Sequence, residues 1–403
     1  MRTSWIPALC LLALVPHPSA AQTPSTRAEA QKQAREDKQK RLEPNQVPGL
    51  QKVLNQIENP PALLNDRDGL YPKLGSLTTG SGFAAGVGYR NRRIFSRRGA
   101  FDVFGAGSFR SYWAIEGRTT FPELANRRLL LEAVGGIREY PGESFFGLGP
   151  DSNRDDRTSF LLRTERVAGR AGVRIWPKLM VGAEAGYMKP RTGSGNRSGV
   201  PDIDQIFTPA EVPGLNLNTE YETTAGFVEV DYREPLNARK GGWYRVEVGR
   251  YKDRGDQYSF RQTEVDLRQF IGFFSERRVI ALRGAFSTSD AIGGTLGQPF
   301  FLMPTLGGNT TLRGFRDYRF RGPHALLLQA EYRYEIWSGL DAALFYDAGQ
   351  VALDRSDFKM KNMERDYGIG FRFNTNNGVI LRVDAAFGSP DGKHLHVVFG
   401  GVF

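Results

Sequence analysis

Between Leu306 and Gly322 the chain reads LGGNTTLRGFRDYRFRG, with four arginines set among glycines and aromatic residues and no evident catalytic group. A guanidinium is permanently charged, and its planar fork matches a carboxylate or a phosphate. The stretch therefore admits a binding loop, a basic nucleic-acid patch or an ordinary turn. Other candidates for chemistry are sparse. Beyond residue 21 the histidines are His324, His394 and His396. His394 and His396 share one face of the last strand-like segment, where a metal pair and lumen filling both remain open. No Gly-x-Ser-x-Gly elbow and no His-Glu-x-x-His occurs. The Arg-Gly-Asp at 254–256 reads as chance. We expect no enzyme activity, no cofactor and no metal site.

The elements that must position these residues change character along the chain. Residues 1–21 read as a secretory signal peptide: Arg2, an apolar run from Ile6 to Val15, then Ser19-Ala20-Ala21 before the cleavage point. Cys10, the single cysteine, lies inside it, so the exported chain has no thiol for disulfides or thiolate metal sites. Residues 22–69 form a polar extension. Within it Leu50, Val53, Leu54 and Ile57 fall at helical spacing between prolines, compatible with a short docking helix or with a flexible linker.

From about Leu70 the hydrophobic period becomes two. In "ALLLQAEYRYEIW" Leu326, Leu328, Ala330, Tyr332 and Tyr334 oppose Gln329, Glu331, Arg333 and Glu335. In "NGVILRVDAAF" Val379, Leu381, Val383, Ala385 and Phe387 oppose Arg382 and Asp384. Each strand thus has an apolar face and a charged face. A soluble sandwich would bury the apolar faces, whereas a transmembrane barrel turns them to lipid and the charges to the lumen. The barrel is favoured by strands of ten residues or more, by aromatics near strand ends, and by tight turns alternating with long polar loops. It is also favoured by a final segment, HLHVVFGGVF, that places Leu395, Val397, Phe399 and Phe403 on one face. Phe399 and Phe403 are the expected barrel-insertion signal, on a strand that closes against the first one.

The expected fold is therefore all-β: a transmembrane antiparallel barrel spanning 70–403. We place strands near 70–79, 82–91, 99–108, 112–121, 127–140, 158–176, 179–189, 219–235, 241–253, 256–272, 276–289, 323–336, 339–352, 364–374, 378–388 and 393–403. That makes sixteen, with fourteen open because "YPKLGSLTTG" is a weak strand. No stretch after the first thirty residues is apolar enough for a membrane helix. The chain is basic, net charge +10, but its arginines alternate with carboxylates and build no concentrated stripe for nucleic acid.

Residues 70–403 resemble the superfamily of outer-membrane assembly and translocation barrels of the bacterial surface antigen (D15) type, which includes BamA-like proteins, TamA-like proteins and two-partner secretion transporters. The resemblance rests on Leu312-Arg313-Gly314-Phe315 after Gly307-Gly308, and on Phe345-Tyr346-Asp347-Ala348-Gly349. "VDYREPLNARKGGW" and "FFGLGPDS" add to it. It implies that the loop 290–322 folds back into the lumen. Arg313 would then pair with lumen carboxylates, Asp347 first and Glu331 second. Gly314 would let the tip turn tightly and Phe315 would pack on the wall. Residues 22–69 are too short for the periplasmic POTRA domain that such proteins usually carry.

Three functions follow as expectations. One is insertion or transport of proteins or lipids at the bacterial outer membrane, through an imperfectly paired seam and a movable loop. The others are a passive pore and a structural surface-antigen barrel. The expected partners are outer-membrane lipid and substrate outer-membrane proteins or periplasmic helper proteins, not nucleic acid.

Overall fold

A computed structural model describes residues 68–234, 238–274, 277–337, 339–375 and 378–399. The expected leader, the extension up to residue 67 and Phe403 lie outside the described residues. The period-two segments form one antiparallel sheet of sixteen strands, each paired with its neighbour in sequence order. They are β1 (Gly69–Gly75), β2 (Ala84–Arg93), β3 (Gly99–Ser108), β4 (Trp113–Glu123), β5 (Leu129–Phe145), β6 (Thr158–Trp176), β7 (Leu179–Ser194) and β8 (Tyr221–Asp231). β9 (Gly241–Asp253), β10 (Phe260–Phe273), β11 (Arg278–Ala291), β14 (His324–Trp337), β15 (Leu340–Ala352), β16 (Glu364–Thr375), β17 (Gly378–Ser389) and β18 (Gly392–Val398) complete the wall. Between β11 and β14, β12 (Thr305–Leu306) and β13 (Phe320–Arg321) make a two-residue ribbon that closes the loop of interest.

The parity read from sequence holds round the wall. Val87, Val167, Leu267, Leu344, Ile369 and Leu395 stand exposed on the outer face, while Glu331, Arg333, Asp347, Arg372, Arg382 and Asp384 are buried on the inner one. A continuous exposed apolar band is costly in water and favourable against lipid. Strand lengths from β2 onward reach or exceed the span a tilted strand needs, except in β18.

The weak first segment does form a strand, so the wall has sixteen strands and not fourteen. All seven residues of β1 pair with β2. Tyr71 anchors it: its ring occupies the space a Cβ on Gly88 would take, and its hydroxyl donates to Asp102 Oδ1 at 2.7 Å. The strand stops at Gly75, short of the expected residue 79, because Leu77 and Thr78 donate their N–H groups to Ser81 Oγ in a turn. Conversely, β5 and β7 run further than expected, to Phe145 and Ser194, because both pair with the far end of β6.

β1 and β18 are the edges of the sheet. Among the described residues no ladder joins them. The expected closure of the last strand on the first thus shows no ladder among the described residues, and residues 400–403 of that expected strand lie outside them. Pro72 in β1 has no N–H to offer. Phe399 packs on Phe83, ring centroids 6.0 Å apart, and its Cβ lies 3.7 Å from where a Cβ on Gly75 would sit.

The two ends of the barrel differ. At one end tight turns join strands, and they carry left-handed residues without glycine: Phe95 and Ser96 (φ 48° and 59°) and Ala125 and Asn126 (φ 49° and 58°). Paired left-handed residues match the twist of a hairpin. At the other end, long loops build an apolar core of their own. Phe145, Phe160, Ile203, Val212, Leu215, Phe300 and Phe301 are buried together there. Segment 195–220 is tied to the loop after β11 by Phe300 N–H to Pro213 O at 2.9 Å. The long-loop end is the outward one in barrels of this construction.

Candidate functional site

The loop between β12 and β13 turns into the lumen and places Arg313 where water does not reach it. Arg313, Asp347, Glu331 and Asp384 all have fully buried side chains. Asp347 sits on β15 and Glu331 on β14, each on the inner face that parity assigned. Arg313 grips Asp347 with both arms of its fork: Nε to Oδ2 at 2.7 Å and Nη2 to Oδ1 at 2.8 Å. Its Nη1 donates to Glu331 Oε2 at 3.0 Å and lies 3.5 Å from Asp384 Oδ2. The guanidinium also lies over the Phe345 ring, 3.5 Å from its centroid. The structure thus brings Arg313 together with both Asp347 and Glu331.

The network is larger than predicted. Glu331 also accepts from Arg333 Nε at 2.7 Å and from Arg372 Nη2 at 2.6 Å. Asp384 accepts from Arg372 Nη1 and, at 2.8 Å, from Arg382 Nη1. A buried charge is tolerated only when paired and hydrogen-bonded. Here the compensation is mutual. Glu331 and Asp384 hold several arginines each, whereas Asp347 is left with Gln329 Nε2 at 3.1 Å once Arg313 is discounted.

Phe315 packs in an apolar cluster. It is buried with Leu306, Leu312, Phe320, Ala325, Leu327 and Val351. Gly314 needs a correction. Its φ is not in the left-handed region, so turning the tip is not what requires glycine. A Cβ there would lie 2.5 Å from Asp366 Cβ and 3.3 Å from Phe387 O. The glycine is required by close approach of the loop to β16 and β17. The left-handed positions belong to Gly307 and Gly308 (φ 112° and 96°), which start the inward turn.

Three participants were missed in sequence. Asp366, directly opposite Asp347 in the β15–β16 ladder, is buried beside the lock, and neither carboxylate oxygen has a hydrogen-bond partner. His396 on β18 donates Nε2–H to Arg313 O at 2.7 Å. It is therefore a backbone tether, and among the described residues no group of metal-ligating side chains forms. Tyr318 donates its hydroxyl to Thr79 O at 2.8 Å. None of these pairings is adjacent in sequence, and only the folded barrel brings them together.

Together these contacts span the seam. On the β18 side the loop is held by His396, by Ser389 Oγ–H on Gly314 O, and by Arg316 N–H on Asp391 Oδ2 at 3.1 Å. On the β1 side Tyr318 holds Thr79, and Thr79 Oγ–H reaches Asn309 Oδ1 at 3.3 Å. Thr78 Oγ lies 3.0 Å from the Tyr318 hydroxyl. The loop is thus fastened to β18 and to the turn after β1, and among the described residues no ladder joins the two edges. Phe399 sits at this seam, as a terminal-strand aromatic should.

Residues 234–401 match the Omp85 superfamily domain. No curated protein matches the sequence. Among solved structures the fold is similar to BamA from Haemophilus ducreyi lacking POTRA domains 1-3. That match has 13% identity and a TM-score of 0.59 over 83% of this chain and 70% of that one. CdiB from Escherichia coli is similar at 14% identity and a TM-score of 0.53, over 83% of this chain and 62% of that one. CdiB from Acinetobacter baumannii is similar at 10% identity and a TM-score of 0.51, over 81% and 58%. The chain thus spans less than two thirds of either CdiB. The family match and the sixteen-stranded wall agree: residues 234–401 match the Omp85 superfamily domain, and the barrel they help to build is similar in fold to BamA.

Proposed function

We propose that the protein inserts or passes polypeptides at the outer membrane through the β1–β18 seam, with the loop 306–322 as its clasp. One observation carries this reading: the loop is hydrogen-bonded to β18 and to the turn after β1, on either side of a seam that has no ladder among the described residues. An edge strand presents unpaired N–H and C=O groups, which template an incoming strand. While the clasp holds, β1 and β18 stay juxtaposed. When it lets go, either edge is free to accept a strand from a client. Similarity to BamA and CdiB supports a general role in protein insertion or secretion.

The test is reconstitution. The barrel is placed in phosphatidylcholine liposomes and challenged with a urea-denatured eight-stranded outer-membrane protein. Faster folding of the client than in empty liposomes is expected. Tethering the clasp through Thr79→Cys and Asn309→Cys, possible because the chain beyond residue 21 has no cysteine, should abolish the acceleration, and reduction should restore it. Ion conductance with no effect on client folding would overturn the proposal in favour of a passive pore.

A further inference from the structure

We infer that the lumen beside β2–β7 is a binding vestibule for an extended acidic polypeptide segment. The two halves of the lumen differ in kind. Beside β14–β18 the interior is filled by the Arg313 network. Beside β2–β7 it holds a cavity of about 960 Å³ lined by six arginines against two carboxylates. The cavity begins at the tight-turn end, where Arg92 and Arg98 line it, and runs up past Arg118, Arg166 and Arg138.

The pairing inside this cavity is lopsided in a way that leaves cations facing the water. Arg118 is 64% exposed while its partner Glu132 is 14% exposed. Arg138 is 51% exposed while Glu116 is 28%, and Arg166 is 47% exposed while Glu184 is 9%. Glu184 is moreover shared with Arg170. The carboxylates lie against the wall and the guanidiniums cover them. A guanidinium has five N–H donors, so a side chain that gives one or two to its carboxylate keeps others for a ligand. Low-dielectric walls lined by one sign of charge concentrate ions of the other sign.

The spacing selects the shape of the ligand. Through the ladders, Arg118 lies level with Val134, Arg166 with Gly136, and Arg138 is two residues further along β5. Successive levels are therefore two residues apart, roughly 7 Å along the strand direction. That is also the repeat of alternate side chains in an extended peptide. A segment with Glu or Asp at every second position, lying along the wall, would set one carboxylate at each level. A compact anion would engage a single level. The inference rests on the proposed function only for where such a segment comes from, namely a client entering from the periplasmic side.

The test uses the full barrel refolded in detergent and a fluorescein-labelled peptide of six Glu-Ser repeats, followed by anisotropy. The Glu-Ser peptide should bind, weaken as salt is raised, and outcompete a peptide of six Gln-Ser repeats. Arg118→Gln with Arg138→Gln should weaken it by at least roughly tenfold, since each charge-assisted bond to a carboxylate is worth about that factor. Because Arg118→Gln leaves Glu132 without this partner, Arg118→Gln with Glu132→Gln serves as a second variant that keeps the site's charge balanced. It should lose binding too, while keeping the wild-type gel shift on heating. Arg254→Gln, on the β9–β10 loop, should change nothing. Equal binding of the Gln-Ser peptide, or undiminished binding in both variants, overturns the inference. So does full competition by inorganic pyrophosphate at equal charge concentration, which would make the cavity a small-anion site. Peptide binding without accelerated client folding in liposomes would sink the proposed function and leave the vestibule standing; the converse sinks the vestibule alone.

Discussion

Removing Arg313 should cost most through Asp347. In Arg313→Ala, Glu331 keeps Arg333 and Arg372, and Asp384 keeps Arg372 and Arg382. Asp347 keeps the amide of Gln329 and the backbone N–H of residue 313, and no guanidinium. Breaking a buried ion pair from one side costs about 3–5 kcal/mol, because the remaining charge is stranded. The loop also loses its anchor, so part of the cost can be escaped by undocking residues 306–322. Two readouts follow. The urea midpoint of the heat-shifted gel band should fall. Trypsin, slow at the buried Arg319 and Arg321 of the native loop, should cut there readily. The apportioning is what a double-mutant cycle tests. Coupling of Arg313 with Asp347, measured with Asp347→Asn, should be about 2–3 kcal/mol. Coupling with Glu331, measured with Glu331→Gln, should be under about 1 kcal/mol, since two other arginines still compensate that carboxylate. If the Glu331 coupling equals or exceeds the Asp347 coupling, or if Arg313→Ala leaves trypsin access unchanged, the reasoning from partner counts is wrong.

Three further outcomes are expected. Gly314→Ala puts a methyl 2.5 Å from Asp366 Cβ and should destabilise the docked loop by about 1–3 kcal/mol; Asp366→Gly added to it should recover most of the loss in the same urea titration. Tyr318→Phe removes the hydroxyl that holds Thr79, at a cost of about 1 kcal/mol, and should speed maleimide labelling of a Leu74→Cys reporter on β1 without changing trypsin access to the loop. Ala125→Gly should stabilise the β4–β5 turn by about 0.5–1 kcal/mol, because Ala125 holds φ at 49° against its preference; an unchanged urea midpoint would count against strain at that position.

Much of this molecule is legible from alternation alone. A period of two assigns Glu331, Asp347, Arg372, Arg382 and Asp384 to one face before any coordinate is known, and a long apolar opposite face sends that side to lipid. The first strand was ambiguous because its stability is not in its own residues. Tyr71 is held by Asp102 and by the bare backbone of Gly88, from two other strands. Gly314 illustrates the opposite error. A glycine in a loop suggests a turn, but its reason here is the proximity of Asp366, some fifty residues away. Asp366 and His396 could be placed on the inner face by parity. Their relation to Arg313 depends on the register of β15 with β16 and on how deeply the loop enters, and neither is written locally.

The clasp is unequal on its two sides, and on the proposed function that inequality sets which edge would move. Toward β14–β18 the loop is held by a buried guanidinium shared among three carboxylates, by a packed apolar cluster around Leu312 and Phe315, and by His396, Ser389 and Asp391. Toward β1 the contacts are hydrogen bonds without a charge on either partner: Tyr318 on Thr79 and Thr79 on Asn309. Neutral bonds of this kind are worth about 1 kcal/mol each, against about 3–5 kcal/mol for stranding one buried charge. On the proposed function, the seam is therefore expected to open first at β1, with the loop docked on the last five strands and the β1–β2 hairpin swinging away from it. The strand left exposed beside a fixed loop is β18, with its outward Leu395 and Val397 already facing lipid. An incoming strand would then meet a stationary β18 edge, while β1, shortened by its turn at Ser81 and carrying Pro72, would be the edge that gives way.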